Sequence, residues 1–209
     1  MSQKPIATVR EHQAVLSYFA PTLAPVFKIR WPYEGADEIV AHFSTLREMG
    51  ESSASSNLGC WHTGYDSLGR WPAQLGPFAQ SVAQTCWQVM APGRKTRVED
   101  FRPERLDIEL WYADYDPGGY AQQHSHGYDA ISFCYYLDVA EGGSDFVVHQ
   151  MGLDVGQPVE RSQVSIPVAT GDLLIFQGFL PHSVPPTEGR RRVIAGNIRG
   201  IGRVLPAGT

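Results

Sequence analysis

The apolar positions of this chain change their period once. Over the first hundred residues they recur every three or four positions, and from about residue 105 they alternate. Ile39, Phe43, Leu46 and Met49 predict a helix from Asp37 to Met49, with Gly50 as its stop. Leu75, Phe78, Val82, Cys86 and Val89 or Met90 form an apolar stripe and predict the longest helix, ended by Pro92-Gly93. Val26 to Arg30 alternates and can form a strand that stops at Pro32. The polar run from Glu51 to Asn57 reads as a loop, one that could be mobile beside a pocket.

In the second half, Leu106, Ile108, Leu110 and Tyr112 alternate with Asp107, Glu109 and Trp111. Pro117-Gly118-Gly119 reads as a turn. Strand-prone runs follow at 131–137, 145–149, 164–168, 172–176, 182–184 and 191–198, with Gly or Pro turns between them. No strand alternates with a full helix here, which excludes a doubly wound parallel sheet. Seven or eight short strands predict an all-β sandwich or barrel. The expected organisation is one domain, 1–209. Residues 1–104 are read as mainly helical and irregular chain packed outside, and 105–205 as the β core.

Composition narrows the setting. At 209 residues and 43% hydrophobic, the chain can bury a sizeable core. Its net charge of -5 disfavours a nucleic-acid backbone as partner. Cys60, Cys86 and Cys134 are odd in number and widely spaced, so they read as small buried hydrophobes rather than a disulfide framework. No basic-then-apolar leader and no apolar run near 18 residues is present, so a cytoplasmic, reducing setting is expected.

The candidate chemistry is histidine. His124 and His126 are one residue apart, and on an extended segment both rings point to one face. His182 arrives on a later strand. Three imidazoles meeting inside an antiparallel barrel would make a mononuclear metal site with open positions. Neutral imidazole suits iron, zinc, copper or nickel, so the pattern says metal more firmly than it says which. The commonest facial triad puts a carboxylate where His126 stands, and Asp129 is a second candidate ligand. His62, beside Trp61, is either a pocket residue or a structural one. His12, His42 and His149 read as structural.

Arg190, Arg191 and Arg192 are the second signal. A buried arginine needs an anionic partner, which a co-substrate would supply. Arg191 shares a face with Val193, Ala195 and Asn197, and is favoured over Arg192 as the inward one.

These features together resemble the iron(II)/2-oxoglutarate-dependent dioxygenase superfamily, and within it the small bacterial and phage-type group. The resemblance rests on the stretch from Ser56 to Thr63, Trp111 to Tyr115, His124-Ser125-His126, Ser132 to Leu137 and Gly142-Gly143. It continues through Gly171 to Phe176, Leu180 to Val184, and the arginines ahead of Asn197. It implies a double-stranded β-helix, a cupin-like jelly roll, with the N-terminal helices outside. It also implies Fe(II) on His124, His126 and His182, with O2 and 2-oxoglutarate as co-reactants. The distal carboxylate of 2-oxoglutarate would pair with Arg191 or Arg192. Tyr112, Tyr120 and Asn197 are the other candidates to hold the co-substrate, and Trp61-His62 and the serine-rich loop are expected near the pocket mouth. The implied reaction is hydroxylation of a small molecule, amino acid or peptide intermediate, with no nucleic acid or membrane; a homodimer is compatible. Two other classes remain open: a three-histidine, cupin-type metalloenzyme that does not use 2-oxoglutarate, and a non-catalytic jelly-roll binding protein. Gly118 and the histidine pair match the cupin spacing, but no glutamate follows before Glu141.

Overall fold

The computed structural model describes residues 6–10, 13–19, 24–50, 57–64, 75–90, 101–103, 106–149 and 163–200, the first two segments by backbone alone. Among these residues eleven strands and two helices follow one another. They run β1 (Ile6–Arg10), β2 (Gln13–Phe19), β3 (Pro25–Arg30), α1 (Ala36–Glu48), β4 (Asn57–His62), α2 (Leu75–Met90), β5 (Asp107–His124) and β6 (Ala130–Val139). After these come β7 (Phe146–His149), β8 (Gln163–Ile166), β9 (Asp172–Gln177), β10 (His182–Val184) and β11 (Arg191–Arg199). The hydrogen-bonded order is β1-β2-β3-β9-β6-β11-β5-β10-β7-β8, with β4 on the outer edge of β5 and every pair antiparallel. This is the expected all-β core, a double-stranded β-helix with its helices on the outside.

Both helices cover the convex face of the large sheet. Phe43 of α1 stacks on Tyr112 at 4.3 Å, and Phe78 of α2 meets Tyr135 at 5.5 Å. Offset and edge-on pairs of this kind add about 1 kcal/mol each beyond their burial. Ile39, Val82, Leu110, Leu173, Ile194 and Ile198 complete this outer core. A second cluster fills the concave side, with Ala113, Tyr115, Tyr136, Phe146, Phe176 and Val193 among its members. No helix among the described residues is long and apolar enough to cross a membrane.

Before residue 105, β3, the strand allowed by the alternation from Val26 to Arg30, pairs with β9, and β4 pairs with β5, so both belong to the sheet. One expectation needs correction. Pro117-Gly118-Gly119 is not a turn between two strands. It lies inside the 18-residue β5, as a bulge in which residues 116–119 stand opposite Gly59 alone. Gly118 takes φ +85°, and a Cβ on Gly119 would strike the carbonyl oxygens of Gly59 and Asp116. The bulge lets one strand serve both sheets. Its first half pairs with β11, and its end, at His124, faces His182 of β10. The loop from Glu51 to Ser56 and His12 lie outside the described residues.

Candidate active site

His124 closes β5, and His182 opens β10 directly across from it. His126 is not on the strand, as alternation had suggested. It sits two residues beyond, in a segment anchored by its own N–H donating to the Gly178 carbonyl at 2.6 Å. That bond ties the loop after β5 to the turn before β10. The three rings meet in consequence: centroids lie 4.4 Å (His124–His182), 5.0 Å (His124–His126) and 5.1 Å (His126–His182) apart. Their ligand atoms all fall within 4.8 Å of one another. Asp129 is not part of the cluster; it is exposed and lies 4.0 Å from Arg199.

Two of the rings are oriented from behind. The Nδ1 of His124 pairs with the Gln122 carbonyl at 2.6 Å, and the Nδ1 of His182 with the Leu180 carbonyl at 2.9 Å. A carbonyl only accepts, so each Nδ1 carries the proton and each Nε2 keeps its lone pair. Such backing bonds are what metal-ligating histidines use. Phe146 and Phe176 pack on the His182 ring at 5.0 and 4.9 Å. Burial pushes all three imidazoles down: His126 to about 4, with the charges of His124 and Arg199 adding to the effect, and His182 well below the ordinary value. The rings are therefore neutral donors at physiological pH.

The rings open onto a cavity of about 380 Å³. Its floor is the inner face of β11, with Arg191, Val193, Ala195, Asn197 and Arg199, beside Glu109, Trp111, Ala113 and Tyr115 of β5. Arg191 is 1% exposed, and no carboxylate pairs with it among the described residues. Its Nη1 donates to the Ser144 carbonyl at 2.9 Å and its Nη2 to the Tyr136 hydroxyl at 3.2 Å, while Nε has no partner. A buried guanidinium without a counter-ion costs several kcal/mol, which hydrogen bonds and the neighbouring rings offset only in part. Burial raises the pKa of the Tyr115 and Tyr136 phenols, so neither is the missing anion.

The neighbours of Arg191 turn outward. Arg190 forks onto Asp114 at 2.9 and 2.7 Å, and Arg192 reaches Asp138 at 3.2 Å and Asp114 at 3.6 Å. Arg47 of α1 adds a third guanidinium to Asp114, at 2.9 Å. Burial alone would raise the Asp114 carboxyl, but the bonds from Arg190 and Arg47 together outweigh it and hold it below the ordinary range.

Asn197 lines the cavity as expected, bonded to Ser132 and Glu109. Tyr112 and Tyr120 do not line it. Tyr112 faces the helices, against Phe43, because the cavity takes the odd-numbered side chains of that stretch of β5. Trp61 is likewise in the outer core, near Phe43 and Tyr112. His62 is buried outside the cavity and stacks at 6.4 Å on Trp111, which does line it; burial pushes its imidazole down to about 4. Tyr115, whose hydroxyl donates to Asn57 at 2.7 Å, and Cys134 line the cavity although the sequence reading did not single them out. Strand parity from Arg191 through its partner Tyr115 would have found the first.

Comparison with known proteins agrees with this geometry. No curated protein matches the chain. Solved structures with the same fold include a prolyl-4-hydroxylase from Pseudomonas putida, at 16% identity and TM-score 0.55, covering 83% of this chain and 91% of that one. HygX from Streptomyces hygroscopicus, with nickel, 2-oxoglutarate and hygromycin B bound, aligns at 14% identity and TM-score 0.53, over 83% of this chain and 82% of its own. A prolyl hydroxylase from Trichoplax adhaerens in complex with a peptide fragment aligns at 16% and 0.55, over 88% and 87%. At these identities they speak for the fold. The core of the chain, residues 109–197, matches the family described as "Putative 2OG-Fe(II) oxygenase", and over that stretch the protein is similar to oxygenases that use Fe(II) and 2-oxoglutarate.

Proposed function

We propose that the protein hydroxylates a small molecule, amino acid or peptide intermediate, with Fe(II) held by the Nε2 atoms of His124, His126 and His182. Arg191 takes the distal carboxylate of 2-oxoglutarate. The observation that carries this reading is the unpaired, fully buried Arg191 in the same cavity as three converging neutral imidazoles. A dianion that reaches both places supplies the charge Arg191 lacks. The two other classes left open by the sequence do not account for it: without an oxo acid, the buried guanidinium stays uncompensated.

When bound, iron and 2-oxoglutarate supply the oxidising chemistry, in which O2 is consumed, 2-oxoglutarate leaves as succinate and CO2, and one oxygen atom enters the substrate. The chain supplies placement. The Gln122 and Leu180 carbonyls fix the donor faces of two ligands. Three uncharged ligands leave the full double charge of the metal to attract the anionic chelate. Arg191 is held by Ser144 and Tyr136 and fixes the other end of the oxo acid. Phe146 and Phe176 keep water from the back of His182.

The test is an anaerobic titration of the Fe(II)-loaded protein with 2-oxoglutarate, followed by its visible charge-transfer band. A saturable band, weakened in Arg191→Ala and unchanged in Arg192→Ala, is expected. Metal binding with no band refutes the reading.

A further inference from the structure

Arg190, Arg191 and Arg192 are consecutive, and of the three only Arg191 lines the cavity. β11 begins at Arg191, so no strand upstream fixes the direction of that side chain, and strand ends fray first. β6 does not carry the register through this stretch, because its pairing with β11 shifts between Arg192 and Val193. The pairing of β5 with β11 runs unbroken from Arg191 to Arg199.

The side chains of the flanking strands sort the arginines. Both strands place an aspartate opposite Arg192 and an uncharged residue opposite Arg191: Asp114 and Tyr115 on β5, Asp138 and Val139 on β6. Successive side chains of a strand point to opposite faces, so the carboxylates gather behind the sheet and the phenol of Tyr115 on the cavity side. Asp114 is the centre of the outer group. It is fully buried, takes both donors of the Arg190 fork at 2.9 and 2.7 Å, and lies 3.6 Å from Arg192 and 2.9 Å from Arg47. It stands outside the cavity lining. A one-residue slip at this end would turn Arg190 or Arg192 inward and carry it away from Asp114. The slipped arrangement leaves a buried carboxylate short of its partners, which is costly.

We propose that Asp114 is a positioning residue for the co-substrate site: by holding Arg190 and Arg192 on the outer face, it fixes the start of β11 with Arg191 alone turned inward. The inference rests on the reading that Arg191 takes the distal carboxylate of 2-oxoglutarate. It acts through the strand, and its effect has the opposite sign to simple electrostatics. Removing a negative charge behind Arg191 makes the cavity more positive, which by Coulomb's law tightens the binding of a dianion. Loss of positioning weakens it. A residue that served stability alone would leave the affinity of the folded protein unchanged.

The experiment is calorimetric titration of the Zn(II)-loaded protein with 2-oxoglutarate, without turnover. Asp114→Asn is expected to raise the dissociation constant about tenfold while the zinc content stays stoichiometric. Arg190→Lys keeps the charge and loses the fork; it should raise the constant about threefold, where electrostatics alone predicts no change. The double variant should bind no more weakly than Asp114→Asn, because the two residues act as one unit. Affinity equal to or tighter than wild type in Asp114→Asn, or unchanged in Arg190→Lys, overturns the proposal. Should Asp114→Asn not fold, Arg190→Lys, at a partly solvated position, decides alone. Arg191→Ala, titrated alongside, keeps the two readings apart. If it weakens 2-oxoglutarate and the Asp114 and Arg190 variants do not, only this inference fails; if it changes nothing, the assignment of Arg191 fails as well.

Discussion

The Arg191 guanidinium carbon lies 4.9 Å from the centroid of the Tyr136 ring, and its Nη2 donates to the hydroxyl of the same residue at 3.2 Å. Tyr136 therefore holds the cation by both its face and its edge without neutralising it. Arg191→Lys keeps the charge but loses the fork, and should raise the dissociation constant of 2-oxoglutarate about 30-fold. Arg192→Lys, on the outer face against Asp138, should change it less than about threefold. Titration of the charge-transfer band measures both.

His182→Ala should abolish stoichiometric Fe(II) loading, because His182 is the buried member of the cluster. His126→Asp should retain the metal, since two imidazoles and a carboxylate form an accepted iron set. It should weaken 2-oxoglutarate, because the added negative charge faces the same dianion. Metal content by atomic absorption and the oxo-acid titration together check both outcomes; unchanged loading in His182→Ala would remove that residue from the ligand set.

Metal loading should also resist acid. A free histidine protonates near pH 6.5, whereas burial pushes these three rings lower, His126 to about 4. As pH falls, protons that would compete with the metal bind late, so half-loading should sit below about pH 6. Equilibrium dialysis with Zn(II) between pH 5 and 8 reads the midpoint. A midpoint at or above that of free histidine contradicts the buried, neutral cluster.

Asp114→Asn should cost about 2 kcal/mol at neutral pH, less than a fully buried pair because Arg190 and Arg47 are partly solvated. The native carboxyl is held below its unfolded value, so its contribution is complete above about pH 4 and disappears as pH falls through the native value. Urea unfolding of both proteins at pH 7 and at successively lower pH, past the titration of the native carboxyl, should show a gap that closes only once that titration is crossed. A gap that persists would mean that the amide fails by packing and not by charge.

Much of the site could be read from the sequence, and its gaps have physical causes. Histidine spacing singled out three rings that do converge, and strand parity along β11 singled out Arg191 as the inward, buried arginine. Parity failed on β5. Residues 110–115 are all buried, since helices cover one face and the cavity occupies the other, so hydrophobic alternation carried no inside–outside signal there. Parity for that reason could not separate Tyr112, which packs on Phe43, from the side chains that line the cavity. The bulge was read as a turn because Pro117-Gly118-Gly119 has turn composition, and only the pairing of β4 and β10 on either side reveals a continuous strand. The Glu109–Asn197 pair, 88 residues apart in the chain, left no local trace.

The sharing of β5 between both sheets also bears on how the site comes into being. Arg191 meets Tyr115 across 76 positions of sequence, and His182 meets His124 across 58. Only His124 and His126 are neighbours in the chain, and the three-histidine set stays incomplete until β10 arrives, so an ion cannot nucleate this structure as it nucleates a zinc finger. Closing such long loops is the slow part of assembly. The metal centre should mature only after both sheets have registered on β5, and iron then stabilises a finished protein by mass action rather than guiding its folding.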